Sequence, residues 1–161
     1  MRIICDAADG CGKSSLIEKL CNEYKTDTIH LTKPGCKLPS GYAEKAVLSN
    51  IIMDRGFTSE YIYAHYFKRP TLVDKTEFEN LLHLYRNTYG WKIIFLCCDP
   101  KVAVELINKR GIDKEELTKI QEIDMMYRTI AMGYDIPIID TTDLTPDEVF
   151  EKAKEIINES N

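Results

Sequence analysis

The stretch DAADGCGKSS, residues 6–15, constrains the fold of this chain more than any other segment. It follows the apolar run 2–5 directly and leads into residues 13–24, where apolar side chains recur at helical spacing. A strand, a glycine-rich turn and a helix in this order fit the phosphate-binding pattern G-x-x-x-x-G-K-S/T, except that Ala7 stands at the first glycine. Alanine is the smallest side chain after glycine, so we expect the loop to close normally provided that Ala7 keeps a negative φ angle.

The residues of this loop suit the binding of a nucleotide. Gly10 and Gly12 permit a tight turn, and backbone N–H groups at the start of the following helix form a cradle for phosphate oxygens. Lys13 is expected to reach the β- and γ-phosphates, and the Ser14 hydroxyl to ligate Mg²⁺. The alternative is a glycine-rich turn with a solvated lysine. The predicted nucleotide-binding residues are Ala8, Asp9, Gly10, Cys11, Gly12, Lys13, Ser14 and Ser15.

Short apolar runs alternate with helical patterns along the rest of the chain. The predicted strands are 2–5, 28–31, 50–54, 91–98 and 136–140. The predicted helices are 13–24, 57–67, 74–89, 100–110, 114–132 and 145–157. Five β-rich runs separated by helices indicate an α/β protein, a mostly parallel sheet with helices on both faces, in a single domain over 1–161.

Composition narrows the class of protein. The net charge of −5 argues against broad binding to nucleic acid, because it provides no large basic field. The six cysteines form no C-x-x-C pair, which favours reduced thiols over a disulfide framework or a zinc site. No apolar run approaches the ~20 residues that span a bilayer, and the first strand begins without a signal peptide. We therefore expect no membrane partner and a cytoplasmic location, the host cytoplasm if the chain is viral.

Two segments resemble the thymidylate kinase family. The loop is similar to that family's E-G-x-D-G-x-G-K-S/T, with Asp6 at the glutamate and Asp9 at the inner aspartate. Residues 54–63, DRGFTSEYIY, resemble the family's D-R-Y-x-x-S-x-x-A-Y, although Gly56 replaces the tyrosine. The residues that align in this second segment are Asp54, Arg55, Ser59 and Tyr63.

The resemblance implies a three-layer P-loop kinase fold with a five-stranded parallel sheet in the order 2-3-1-4-5, and ATP and Mg²⁺ as cofactors. Asp54 would hold a Mg²⁺-bound water, and Arg55 a phosphate, because ligands bind at the carboxyl ends of such strands. The alternative for this pair is an ion pair that ends a strand. Asp6 would hold Arg55 or a metal-bound water, or act as general base on a hydroxyl acceptor. Asp9 would contact the sugar 3′-hydroxyl or the water shell of the metal.

A cation on the transferring phosphoryl group is also implied. One class of thymidylate kinases carries an arginine at the position of Gly10, so here the charge should come from a short lid at about 108–116, through Arg110. A solvated helix end is the alternative. The TKPG turn at 32–35 resembles another family turn and offers Lys33 as a phosphate contact.

The acceptor side departs from the family. Residues 36–52 contain no F-x-A-x-R segment, which in thymidylate kinases contacts the base and phosphate of the acceptor. Acceptor contacts should therefore come from the helix after Arg55, through Ser59, Tyr63 and either Lys68 or Arg69, of which we assign Arg69. Aromatic residues at this spacing are more often core.

The sequence thus predicts transfer of the γ-phosphate of ATP to a deoxynucleoside 5′-monophosphate, a thymidylate-kinase-like reaction of nucleotide biosynthesis. One alternative is a kinase that acts on a hydroxyl of a nucleoside, a modified base or a nucleic-acid end. Another is an NTP-hydrolysing binding module, although the N-K-x-D guanine motif is missing from the sequence. Family members are often dimers, and the apolar face of 74–89 offers a surface for a homodimer.

Overall fold

The computed structural model describes residues 1–31, 39–109 and 116–159, apart from the side chains of 116 and 117. Its strands are β1 (Arg2–Ala7), β2 (Asp27–His30), β3 (Ile51–Asp54), β4 (Lys92–Cys97) and β5 (Ile138–Asp140). They form one sheet in the order β2-β3-β1-β4-β5, and every neighbouring pair is parallel. The predicted fold class and strand order are confirmed.

Helices cover both faces of this sheet. They are α1 (Lys13–Tyr24), α2 (Pro39–Ala46), α3 (Phe57–Tyr66), α4 (Lys75–His83), α5 (Pro100–Asn108), α6 (Glu116–Tyr134) and α7 (Pro146–Asn158). Helix α1 packs against α7, whereas α3 packs against α4 and α6. The two central strands β1 and β4 are almost entirely buried, as expected for a parallel sheet covered by helices, and the edge strand β2 is mostly exposed.

Helix α2 was not expected from the sequence. It begins with Pro39, Ser40 and Gly41, which favour turns and conceal the helical spacing of the two residues that it buries, Tyr42 and Ala46. The Trp91 indole donates to the carbonyl of Ala46 over 2.8 Å, so α2 is fixed to the start of β4.

The predicted helix over 74–89 divides into two parts. Asp74 caps α4 by accepting a hydrogen bond from the Glu77 N–H at 2.9 Å, as its position predicts. Beyond His83 the chain continues as a π-helical turn, Leu84–Thr88, in which the Tyr85 side chain is fully buried.

The register of the sheet determines where the polar strand ends meet. Cys5 of β1 and His30 of β2 both lie beside Asp54 of β3. The carboxyl ends of these three strands therefore lie next to one another, at the edge of the sheet where α1 begins. Ligands of open parallel sheets bind at this edge. Within the described residues, no helix has both the length and the apolar character that a membrane crossing requires.

Candidate active site

The glycine-rich loop joins β1 to α1 with two residues in the left-handed region, Gly10 at φ 86° and Gly12 at φ 79°. Ala7, which replaces the first glycine of the pattern, remains in β1 beside Leu96 and does not have a positive φ. The condition for normal loop closure is therefore met, and the alanine imposes no backbone strain.

Gly10 also makes a close contact with α5. A Cβ atom at this position would lie 2.7 Å from the carbonyl oxygen of Ala103, closer than such atoms approach. The loop therefore excludes any side chain at residue 10, which supports the expectation that a stabilising cation comes from elsewhere in the chain. On the opposite side, Thr141 Oγ1 donates to the carbonyls of Cys97 at 3.0 Å and Cys11 at 3.4 Å, which links the loop to the ends of β4 and β5.

Lys13 forms an ion pair with Asp54 at the centre of the site. Its Nζ donates to Asp54 Oδ1, and His30 Nδ1 lies 2.7 Å from Asp54 Oδ2. Burial lowers the pKa of Lys13, and the positive charge of Arg55 lowers it further. A phosphate that enters the loop must therefore draw Lys13 away from a carboxylate that is shared with a histidine.

Arg55, the residue after Asp54, pairs with the glycine-rich loop through Asp9. Its backbone is left-handed, with φ 67°, which costs a non-glycine residue free energy and is found at functional sites. Its Nη2 donates to Asp9 Oδ1 at 2.6 Å, and its guanidinium carbon lies 4.9 Å from the centre of the Tyr63 ring. Burial raises the pKa of Tyr63 to about 12, so the phenol is neutral beside the arginine. The structure thus brings together Asp9, Arg55 and Tyr63, three of the predicted site residues.

Asp6 has a different environment from the one expected. Its carboxylate is fully buried and accepts hydrogen bonds from the Gly56 N–H at 3.3 Å and from the hydroxyls of Thr58 and Ser59. The Tyr127 hydroxyl lies 2.9 Å from Ser59 Oγ and extends this network to α6. The expectation that Asp6 holds Arg55 is wrong, because the carboxylate instead accepts from the first turn of α3.

The predicted acceptor contacts Ser59 and Arg69 have partners within the protein. Ser59 is buried and its hydroxyl is used by the Asp6 network. Arg69 makes two hydrogen bonds of 2.6 Å to the carboxylate of Glu60, which also accepts from Thr71 at 3.0 Å. Arg69 is therefore paired in this structure, and its contact with a phosphate stays a prediction. Two other predicted contacts, Lys33 and Arg110, lie outside the described residues.

Thr58→Val should lower the free energy of unfolding by about 1–3 kcal/mol, because it leaves a buried carboxylate short of one donor. Valine keeps the shape and the β-branching of threonine, so the change isolates the hydroxyl. Urea unfolding at pH 7 measures the effect. Thr129→Val is the matched control, since Thr129 is exposed on α6 and its hydroxyl donates only to a backbone carbonyl of its own helix. An equal, small loss in both variants would contradict the prediction.

A cavity lies at the carboxyl ends of β4 and β5. It measures about 520 Å³ and is lined on one side by Asp99 and Asp140. Arg128 crosses it, with Nε 2.7 Å from Asp124 and Nη2 3.0 Å from Asp140. Asp124 and Arg128 thus form an ion pair one turn apart on α6. Thr142 of the cavity wall follows Thr141, whose hydroxyl donates to the carbonyl of Cys11 in the glycine-rich loop.

No protein-family model and no curated protein sequence matches this chain. Solved structures do match. The YorR protein from Bacillus subtilis, in complex with phosphorylated GDP, has a TM-score of 0.84 at 22% identity, over 98% of this chain and 95% of that one. Deoxyadenosine kinase from M. mycoides with bound dCTP has a TM-score of 0.64 at 18% identity, over 98% and 99% of the two chains. Thymidylate kinase from Candida albicans has a TM-score of 0.65 at 18% identity, over 96% and 89%. The chain therefore has the P-loop kinase fold.

His30 was missed by sequence reasoning. It ends a short apolar run that matches no part of the two motifs, and it meets Asp54 only because the two residues are partners across β2 and β3. Its pKa is lowered by burial and by the positive charges of Lys13 and Arg55.

Proposed function

We propose that this protein transfers the γ-phosphoryl group of Mg²⁺-ATP to a deoxynucleoside 5′-monophosphate. The observation that carries the proposal is the placement of Lys13 and Arg55 at the glycine-rich loop, each paired with a carboxylate, Asp54 and Asp9. Phosphoryl transfer needs little covalent chemistry from a protein, and its rate depends on positioning and on charges that stabilise the transferring group. Two cations at the opening of a phosphate cradle suit that task.

On the donor side, Lys13 leaves Asp54 and binds the phosphates, while the loop N–H groups hold the phosphate oxygens. The Ser14 hydroxyl is exposed, and the Asp54 carboxylate is partly so; together they offer the oxygen atoms that Mg²⁺ prefers. When bound, Mg²⁺ neutralises charge on the phosphates. The cavity beside Thr142 and Asp140 offers space for the base of the donor nucleotide.

On the acceptor side, Arg55 binds the phosphate that receives the group, and Asp9 hydrogen-bonds the sugar. The Tyr63 ring packs against the guanidinium and helps to hold it in place. In this proposal Lys33 adds a further phosphate contact, and Arg110 stabilises the transferring group from a lid over 108–116.

The alternative acceptor is a hydroxyl group, and one finding favours it: deoxyadenosine kinases are among the similar structures. Against it, Asp6, the carboxylate expected to act as base on a hydroxyl, is committed to three internal donors. A monophosphate acceptor needs no such base at this position.

An ADP-release assay with Mg²⁺-ATP distinguishes the two acceptors. The panel holds the four deoxynucleosides, their 5′-monophosphates and a DNA oligomer, and GTP is compared with ATP as donor because the YorR structure contains phosphorylated GDP. We expect one 5′-monophosphate to stimulate release most strongly. Stimulation by deoxynucleosides or DNA alone would favour the alternative, and no stimulation by any acceptor would contradict both kinase assignments.

A further inference from the structure

We infer that His30 is a positioning residue for Asp54 and sets the affinity of the site for the divalent cation; this inference rests on the proposed function. The two side chains meet because His30 and Asp54 are partners in the parallel register of β2 and β3, at the last residue of each strand. Their contact, 2.7 Å between Nδ1 and Oδ2, has the length of a charge-assisted hydrogen bond.

Because of this contact, the two carboxylate oxygens of Asp54 have different partners. Oδ2 faces His30 and Oδ1 faces Lys13. When Lys13 moves to the phosphates, Oδ1 loses its partner while Oδ2 keeps one. The carboxylate therefore stays in one orientation, with a single oxygen free for a cation or for a water bound to it. A group held in advance in this way needs no reordering when the ligand arrives.

Without His30, both oxygens of Asp54 are available to Lys13. The carboxylate is only 20% exposed, so water replaces the lost imidazole incompletely. Two consequences follow: the aspartate can rotate to follow the ammonium group, and it no longer presents one fixed oxygen. Partners that orient metal-binding carboxylates typically change metal affinity by about 10–100-fold when removed.

The location of His30 makes it a clean site for substitution. It lies on the exposed edge strand and its side chain is 47% exposed, so its removal leaves no cavity in the core. Across the described residues the only hydrogen bond or ion pair of the His30 side chain is the one with Asp54.

The test is the Mg²⁺ dependence of nucleotide binding, measured without turnover. A fluorescent ADP analogue is titrated into wild type and variants, first without divalent cation and then at increasing Mg²⁺. For His30→Ala we expect the half-saturating Mg²⁺ concentration to rise by about tenfold or more. Its affinity for the analogue without Mg²⁺ should stay within about twofold of wild type, as for other surface substitutions. His30→Asn places an amide N–H near the position of Nδ1–H and should recover most of the loss. His83→Ala, at an exposed histidine of α4, should match wild type.

The outcomes separate this inference from the proposed function. If the analogue binds wild type and His30→Ala shows an unchanged Mg²⁺ dependence, the inference is wrong while the proposed function stands. An equal loss of affinity with and without Mg²⁺ also overturns it, because it would indicate a general effect on the loop. Failure of His30→Asn to recover the loss points to the imidazole itself, and overturns the hydrogen-bond argument. If wild type binds no nucleotide at all, the proposed function fails and the inference fails with it.

Discussion

Lys13→Ala should lower the rate of acceptor-stimulated ADP release by about 100–1,000-fold at saturating ATP, the scale seen when one preorganised donor to a developing charge is removed. The reason lies in the position of the ammonium group. It is largely buried at the first residue of α1, where the N-terminal end of the helix already favours an anion. Because little water surrounds the ammonium group, its charge is screened less than the charge of a surface lysine. Solvent cations therefore cannot replace the charge that Lys13→Ala removes.

The matched control is Lys19→Ala on the same helix. Lys19 also pairs with an aspartate, Asp147 at 2.7 Å, but that aspartate is highly exposed and such pairs contribute little. We expect Lys19→Ala to keep wild-type turnover. Both variants should keep a cooperative urea transition, which shows that the loss in Lys13→Ala is not a loss of fold. Turnover of Lys13→Ala within about tenfold of wild type would remove the loop from the mechanism.

The parts of the site that the sequence predicted are those whose function depends on neighbours in the chain. The loop works through consecutive backbone groups, so its pattern could be recognised directly, including the tolerance for Ala7. Asp54 and Arg55 were assigned to the site through the resemblance of 54–63 to the thymidylate kinase family. Their position at the end of a predicted strand agrees with it, because strand ends meet at one edge of a parallel sheet. Helix caps at Asp74 and Thr145 follow the same local logic and are present.

The contacts that the sequence did not predict depend on packing. Arg69 was expected to bind phosphate, and in the structure it is paired with Glu60; the left-handed Lys68 lies in the turn between them. Ser59 aligned with a family residue, but its hydroxyl donates to Asp6. That contact depends on how α3 packs against the sheet, which the sequence pattern does not show. His30 was missed because the β2–β3 register, not its neighbours, gives it a role. The identity of a side chain predicts which groups it can bind, but packing determines which of those groups it contacts.

Gly10→Ala should destabilise the protein by about 2–5 kcal/mol and weaken nucleotide binding in the same variant. Two costs add: a non-glycine residue in the left-handed region costs about 1–2 kcal/mol, and a methyl group forced into packed surroundings costs about 1–3 kcal/mol. The second cost arises because the new Cβ would lie 2.7 Å from the Ala103 carbonyl oxygen, and a backbone atom cannot move aside as a flexible side chain can.

Gly12→Ala separates these costs, because Gly12 has a similar φ of 79° but no atom within 4 Å of its added Cβ. It should lose only the conformational part, about 1–2 kcal/mol. Gly133→Ala in α6 has neither cost and should be neutral or stabilising by up to about 1 kcal/mol, since alanine favours helices over glycine. Urea unfolding of the three variants without nucleotide gives the free energies of unfolding, and titration with the fluorescent ADP analogue gives the affinities.

The contact with α5 predicts that Gly10→Ala loses the most stability and affinity of the three, because relief of the clash must move the loop away from Ala103 and alter the phosphate cradle. Equal losses in Gly10→Ala and Gly12→Ala would mean that the loop can leave α5 at no cost. The exclusion of a side chain at residue 10, and with it the reason to look to the lid for the stabilising cation, would then lose its physical basis.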